Sequence, residues 1–297
     1  MTWDIAVAGT LHIDDITTPH GHQSEVCGGS AVYFALAASH HAPLHVHGIV
    51  GSDAAADFSR ILGSDNITQA GIVISPRPTF RWHAVHDYQR WVAVEIAAEQ
   101  GCAPDWTARL TTDGAIAPVL FVGSMRPQLQ LDILGQSSAR LIGSDTMTTF
   151  ISSERDTVMA VVEASDILFV NRDELQTLLP QFEGRWTEAA QSLLGNGRLR
   201  AVVVKAGPSG AACVTAAGVL ARPAAPVAAV LDPTGAGDCL AGGFLGLCAA
   251  AERDDDAFFE DALDEGLRCA AAGIAAFGTD AIRGLASTRV PPASASG

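Results

Sequence analysis

The sequence is nearly empty of lysine. Of its 18 basic residues only Lys205 is a lysine, and the other 17 are arginines. Positive charge is scarce altogether: 33 Asp and Glu leave a net charge of −15. A surface this acidic repels nucleic-acid phosphates and anionic lipids, which argues against nucleic acid or membrane as a partner. Any anionic ligand must then be held by a local site. No charge-free apolar run reaches the ~18 residues of a candidate membrane span. None of the six cysteines forms a C-x-x-C pair, and most stand among apolar residues, as reduced, buried thiols of a cytoplasmic protein do. The stretch from Met1 to Gly9 lacks the basic start of a signal peptide. Three motifs are also missing: GxxxxGK[ST], a GxGxxG after the first strand, and GxSxG. Their absence counts against a P-loop enzyme, a dinucleotide fold and a serine hydrolase.

What is present is apolar and alternates in type. Hydrophobic residues make up 48% of 297 residues, enough for a large core in one α/β unit. Asp4-Ile-Ala-Val-Ala-Gly9 reads as a buried strand, residues 30–39 as a buried helix, and His45-Val-His-Gly-Ile-Val50 as a second strand. From Gly71 to Ile96, Phe80, Trp82, Trp91, Val92, Val94 and Ile96 alternate roughly with polar residues, the period of half-exposed strands. This predicts a β-flap inserted into the body. Residues 119–122, 141–142, 167–170 and 201–204 are unbroken apolar runs, as in strands buried on both faces. Helical segments at 127–135, 153–164, 172–179 and 187–194 alternate with them, and residues 238–278 are helix-rich. The pattern predicts an α/β fold with a doubly wound, mostly parallel sheet and helices on both faces, over residues 1–290. The tail 291–297, Pro-Pro-Ala-Ser-Ala-Ser-Gly, is expected to be disordered.

The chemistry concentrates in Asp232-Pro-Thr-Gly-Ala-Gly-Asp238 and the apolar helix after it. Gly235 and Gly237 allow a tight turn and close approach to a ligand. The turn's amides and the helix N-terminus together form an anion hole. Asp238, in the first helical turn, places a carboxylate beside that hole. Accepting a proton from an attacking hydroxyl is a task that explains it. A bare GxGD reads equally well as an ordinary Asp cap. Gly242 and Gly243 each cost about 1 kcal/mol inside a helix, which close backbone packing would offset.

The longer string resembles the DTxGAGD signature of the ribokinase/PfkB family, differing mainly at Pro233. The resemblance covers nearly the whole chain. Cys27-Gly28-Gly29-Ser-Ala-Val-Tyr33 is similar to the family's GG motif, with Tyr33 where many members carry a sugar-facing Asn. Gly9-Thr-Leu-His-Ile-Asp14-Asp15 is similar to the first strand and its substrate-binding Asp, with Asp14 as first choice and Asp15 as fallback. Asn171-Arg-Asp-Glu174 resembles the NxxE element, and Lys205-Ala-Gly207-Pro-Ser-Gly210 the segment that passes the nucleotide.

The resemblance implies an ATP-dependent kinase acting on a hydroxyl of a sugar or sugar-like polyol. A nucleoside is the alternative acceptor, and a catalytically silent binding module the reading from another class. It implies Asp238 as base and the amides of Gly235, Ala236 and Gly237 as the anion hole. Asp14, Gly28, Gly29, Tyr33 and Trp82 would face the substrate, and Lys205, Gly207 and Thr234 the nucleotide. Asn171 and Glu174 would organise Mg²⁺, partly through water, and the Asp232–Thr234 loop would hold K⁺. The flap would be a lid contributed by about 12–27 and 72–98, through which two copies can pair. Lys205 has support of its own: in a chain that otherwise uses Arg, a compact point charge suits a phosphate.

Other constellations stay open. His45 and His47 share a strand face, but nothing nearby completes a metal set, so they read as surface and sheet-end histidines. His20 and His22 flank Gly21 in a polar stretch. Trp82 either stacks on a substrate or packs between two lids. Asp145, at a strand's C-terminal end, is either a substrate contact or a loop stabiliser.

Overall fold

The computed structural model describes residues 4–89 and 91–285; residues 291–297 lie outside them. Thirteen strands are seen among the described residues: β1 (Ile5–Ala8), β2 (His12–Thr18), β3 (Gly21–Gly28), β4 (Leu44–Gly51), β5 (Ile67–Ser75), β6 (Arg81–Asp87), β7 (Val92–Glu99), β8 (Val119–Val122), β9 (Leu141–Asp145), β10 (Ile167–Asn171), β11 (Ala201–Lys205), β12 (Ala211–Thr215) and β13 (Gly218–Arg222). Nine form one sheet in the order β13-β12-β11-β10-β9-β8-β1-β4-β5. β1 pairs in parallel with both β4 and β8. The chain therefore winds outward from β1 to β5, then returns to β8 and winds outward the other way. Such a reversal opens a crevice at the carboxyl ends of the strands, where ligands bind in open α/β sheets.

The unbroken apolar runs are central strands because both their faces meet helices. Val7, Phe121, Phe169 and Val203 point to one face, beneath the helices Ser30–Ala38, Ala236–Ala251 and Phe259–Gly273. Their neighbours Ala6, Leu120, Leu168 and Val202 point to the other. Phe34 stacks on Phe121 at 4.3 Å, and Phe169, Phe244 and Phe259 continue the chain of ring contacts through the first core. The paired glycines of the long helix are packing sites. A Cβ on Gly242 would lie 2.5 Å from Phe34 O, and one on Gly243 would lie 2.7 Å from Cys269 Sγ.

The second sheet has the order β3-β2-β6-β7, with β2 and β6 parallel. His12, Asp14, Ile16 and Thr18 alternate along β2, as Trp82, Ala84 and His86 do along β6, so each set shares a face. That face meets the body: Thr18 Oγ1 donates to Leu231 O at 3.0 Å, and His86 Nε2 lies 2.9 Å from Thr234 Oγ1. On the opposite side Val85, Val94 and Ile96 are exposed.

The structure departs from the sequence reading at four points. Ile67–Ser75 belongs to the main sheet, paired with β4, so the second segment of the small sheet starts at Arg81 and not at 72. As an edge strand it leaves Val73 and Ile74 exposed, and it therefore carries the same mixed pattern as a flap. The helix expected at 153–164 is seen as Arg155–Glu163, but a short helix that the sequence did not suggest, Thr148–Ser153, precedes it. β12 and β13 form an antiparallel hairpin at the sheet edge that the sequence reading passed over. His47 is no surface residue: it is fully buried, with Nδ1 3.2 Å from Val7 O and Nε2 3.1 Å from Thr111 Oγ1. No helix among the described residues is long and apolar enough to cross a membrane.

A buried charge cluster clamps the core helices together. Glu265 accepts from Arg268 Nη2 at 2.6 Å, and His41 Nε2 lies 2.8 Å from the same oxygen. Burial would raise the Glu265 carboxyl, but the His41 ring and the Arg268 guanidinium outweigh it and hold it to about 2. This stabilisation is complete above the unfolded value of 4.5 and is lost as pH falls toward 2. Glu265→Gln is expected to cost about 3 kcal/mol at pH 7, since one partner of a buried pair is removed. Chemical denaturation should show the gap between wild type and variant closing from pH 4.5 downward; a gap independent of pH would refute the clamp.

Candidate active site

The site is built on the turn that enters the helix Ala236–Ala251. Asp232 is buried, and it braces the turn by accepting from Thr234 N at 2.9 Å and Gly278 N at 3.3 Å. Gly235 caps the helix in the left-handed region, φ 72°, where a side chain is disfavoured. Space forbids one as well, because a Cβ there would lie 2.2 Å from Cγ of Tyr33. The buried Tyr33 ring thus forms the floor of the turn. The first amides of any helix lack intrahelical acceptors. Here the Ala236 amide turns back to Pro233 O at 3.2 Å and the Asp238 amide faces its own carboxylate, which leaves that of Gly237 as an open donor.

Lys205, the single lysine, ends β11 beside Asn171 at the end of β10. Its Nζ donates to both oxygens of Asp145, at 2.8 and 3.0 Å, and a Cβ on Gly237 would sit 3.1 Å from it. Asp145 ends β9, so three adjacent strand ends and the helix N-terminus meet at one ammonium group. Burial works against the Lys205 charge, but Asp145 and then Glu174 hold its pKa above the ordinary range. The Asp238 carboxyl is pushed up to about 7, by burial first and by Asp145 next, against the pull of Lys205 and His12. Glu174 is raised to about 7, again mainly by burial.

Asn171 and Glu174 form a reciprocal helix cap. Asn171 Oδ1 accepts from Glu174 N at 2.8 Å, and Glu174 Oε2 accepts from Asn171 N at 2.8 Å. The Asn171 carbonyl is therefore committed to the helix, and Glu174 retains one oxygen outside the box.

Opposite the turn, the small sheet presents His12 and Asp14. His12 Nε2 lies 2.9 Å from Asp14 Oδ1. Burial raises the Asp14 carboxyl; it would lower His12, but Asp14 outweighs it and raises the ring. Gly28 is the residue that admits Asp14: a Cβ there would lie 2.0 Å from Asp14 Oδ2. Gly29, φ 111°, caps the helix Ser30–Ala38 against Thr10. Asp14 Oδ2, His12 Nδ1 and Tyr33 OH are buried polar atoms without hydrogen-bond partners, as at a site for a polar ligand.

The structure thus gathers Asp14, Gly28, Tyr33, Thr234, Gly235–Gly237, Asp238, Lys205 and Glu174 around one crevice. Trp82 stands further out, its ring 6.4 Å from His12 and its Nε1 donating to Glu95 at 2.9 Å. Gly207 lies with Lys205 and Gly237 on the wall of a cavity of about 390 Å³. Asp15 points away from Asp14, toward His22 and His83. Sequence reading missed His12 and His86. His12 precedes Asp14 by two residues, and strand periodicity places both on one face.

Residues 10–283 match the pfkB family carbohydrate kinases. A curated relative, the cytidine kinase of Thermococcus kodakarensis, is 26% identical over 249 residues, 82% of this chain and 87% of its own. Among solved structures, the Burkholderia thailandensis nucleoside kinase in complex with inosine superposes with a TM-score of 0.77 at 19% identity, covering 95% of this chain and 94% of that one. The Arabidopsis thaliana ribokinase complexed with ribose and ATP gives 0.73 at 19% identity, covering 94% of each chain. The family match spans the signature turn, the paired glycines and the strand ends just described, and the chain belongs to the pfkB family of carbohydrate kinases.

Proposed function

We propose that the protein transfers the γ-phosphoryl group of ATP to a hydroxyl of a sugar or nucleoside, with Asp238 as general base. The observation that carries this is the placement of Asp238. It sits in the first turn of a helix beside the open amide of Gly237, between Lys205 and the His12–Asp14 pair, with its carboxyl at about 7. A base with such a value is ionised and still basic near neutrality. Asp14 and Tyr33 would fix the acceptor against the Gly28-Gly29 backbone. Asp238 takes the hydroxyl proton as the oxygen bonds to the γ-phosphorus, the bond to the bridging oxygen breaks, and ADP leaves. The amides of Gly235, Ala236 and Gly237 would stabilise the transferring charge, Ala236 once its weak bond to Pro233 is released. Lys205, Gly207 and Thr234 would line the nucleotide's path.

Mg²⁺ is the expected companion of ATP, and the carboxylates here suit it. Glu174 would hold it through water with its free oxygen, while Asn171 orients Glu174. The ion would draw charge from the β- and γ-phosphates. K⁺ fits the Asp232–Thr234 loop less well, since both Asp232 oxygens accept backbone amides and the Thr234 hydroxyl meets His86. Unchanged turnover when K⁺ is replaced by tetramethylammonium is the expected result.

A nucleoside acceptor is favoured by one feature, the aromatic wall beside Asp14. The His12 ring lies 5.4 Å from Phe80 and 6.4 Å from Trp82, and could receive the flat face of a base. The curated cytidine kinase points the same way. The small sheet would act as a lid, and its exposed Val85, Val94 and Ile96 would pair two copies. Six buried free thiols support a cytoplasmic location. The reading is tested by ADP release from Mg·ATP against pentoses, hexoses, polyols and nucleosides. Turnover confined to one class identifies the acceptor; no turnover on any, with ATP bound, supports the silent-module reading.

A further inference from the structure

The β6–β7 hairpin reaches past the acceptor side of the crevice. Its tip carries Tyr88 and Trp91, whose rings stack at 5.2 Å and 19°. Tyr88 OH donates to Leu231 O at 3.0 Å and lies 3.3 Å from Val230 O, which ties the tip to the segment leading into the signature turn. Trp91 is held at φ 55°, a conformation that L-residues avoid. It lines the 390 Å³ cavity, and a Cβ on Gly207 would be 4.0 Å from its Cβ and Cγ.

That cavity has two chemically different ends. Ala225, Val230, Leu240, Leu267 and Ile274 make an apolar chamber, while Lys205 and Gly237 open it onto the anion hole. An occupant that suits both ends is flat and apolar at one end and multiply anionic at the other, as a nucleoside triphosphate is. Trp91 is 44% exposed there, although an indole gains most from burial.

We propose that Trp91 covers the base of the donor nucleotide, so that one hairpin touches the acceptor with Trp82 and the donor with its tip. The inference rests on the kinase reading above. The strained backbone at Trp91, anchored through Tyr88, holds the indole in place before the nucleotide arrives.

Calorimetry of the full chain with ADP, β,γ-imido-ATP and tripolyphosphate separates the base from the phosphates. Trp91→Ala is expected to weaken both nucleotides about 10- to 100-fold, the size of one lost base-stacking contact. Trp91→Phe should keep most of the affinity, and tripolyphosphate should bind all three proteins alike. Undiminished nucleotide binding by Trp91→Ala overturns the assignment, as does an equal loss of tripolyphosphate, which would make the residue a brace for the phosphate turn. Wild-type protein that binds no nucleotide at all would sink the kinase reading itself, a different result from either.

Discussion

Asp238→Asn will reduce phosphoryl transfer by about 10³-fold, within the 10²–10⁴ that a positioned general base contributes. The substitution keeps the shape of the side chain and the helix amides, so nucleotide affinity should change little. It removes only the charge that accepts the hydroxyl proton. The same charge makes wild-type activity pH-dependent: with the carboxyl at about 7, kcat/KM should rise as pH increases through 7 and level off above it. Stability moves the other way. The folded pKa is raised from 3.8, so ionised Asp238 destabilises the fold, a cost absent below pH 3.8 and complete above about 7. Asp238→Asn should therefore melt higher than wild type at pH 8, with the difference vanishing near pH 3.8. Near-wild-type turnover by the variant would remove Asp238 from the mechanism.

Much of this was legible in the sequence because it is local. The signature turn writes its geometry in consecutive residues, and the buried strands declare themselves as apolar runs. The paired glycines Gly242 and Gly243 announced close packing, which the structure supplies against Phe34 and Cys269. What stayed hidden depends on distant partners. Asn171 and Glu174 have the spacing of a helix cap as well as of a metal element, and three residues of separation do not distinguish the two. β5 carries a flap-like pattern because it lies at a sheet edge, and edge position is a property of the whole topology. His86 meets Thr234 across 148 residues, a contact that no motif encodes. The sequence leaves Asp145 between two roles, because its partner, Lys205, is 60 residues away.

That ion pair explains why one lysine survives among arginines, and it carries the second large effect. The ammonium is confined between the two oxygens of Asp145 and the backbone of Gly237, where a Cβ would already come within 3.1 Å. A planar guanidinium is wider and presents a rigid fork, which this gap does not accommodate. Lys205→Arg should thus keep the charge and most of the stability, yet lose about tenfold or more in kcat/KM for ATP, because the displaced turn misplaces its amides. Lys205→Met does more. It leaves Asp145 buried without its cation and Glu174 and Asp238 without a counter-charge, for a cost of about 3–5 kcal/mol. The Asp238 and Glu174 carboxyls, which Lys205 pulls down, then titrate higher still, so the acid limb of the pH–rate profile should move above 7. Adding Asp145→Asn to Lys205→Met removes the orphaned charge and should restore most of the stability, but not the nucleotide affinity. Recovery of both in the double variant would mean that Lys205 serves Asp145 alone; recovery of stability without affinity places the ammonium on the phosphates.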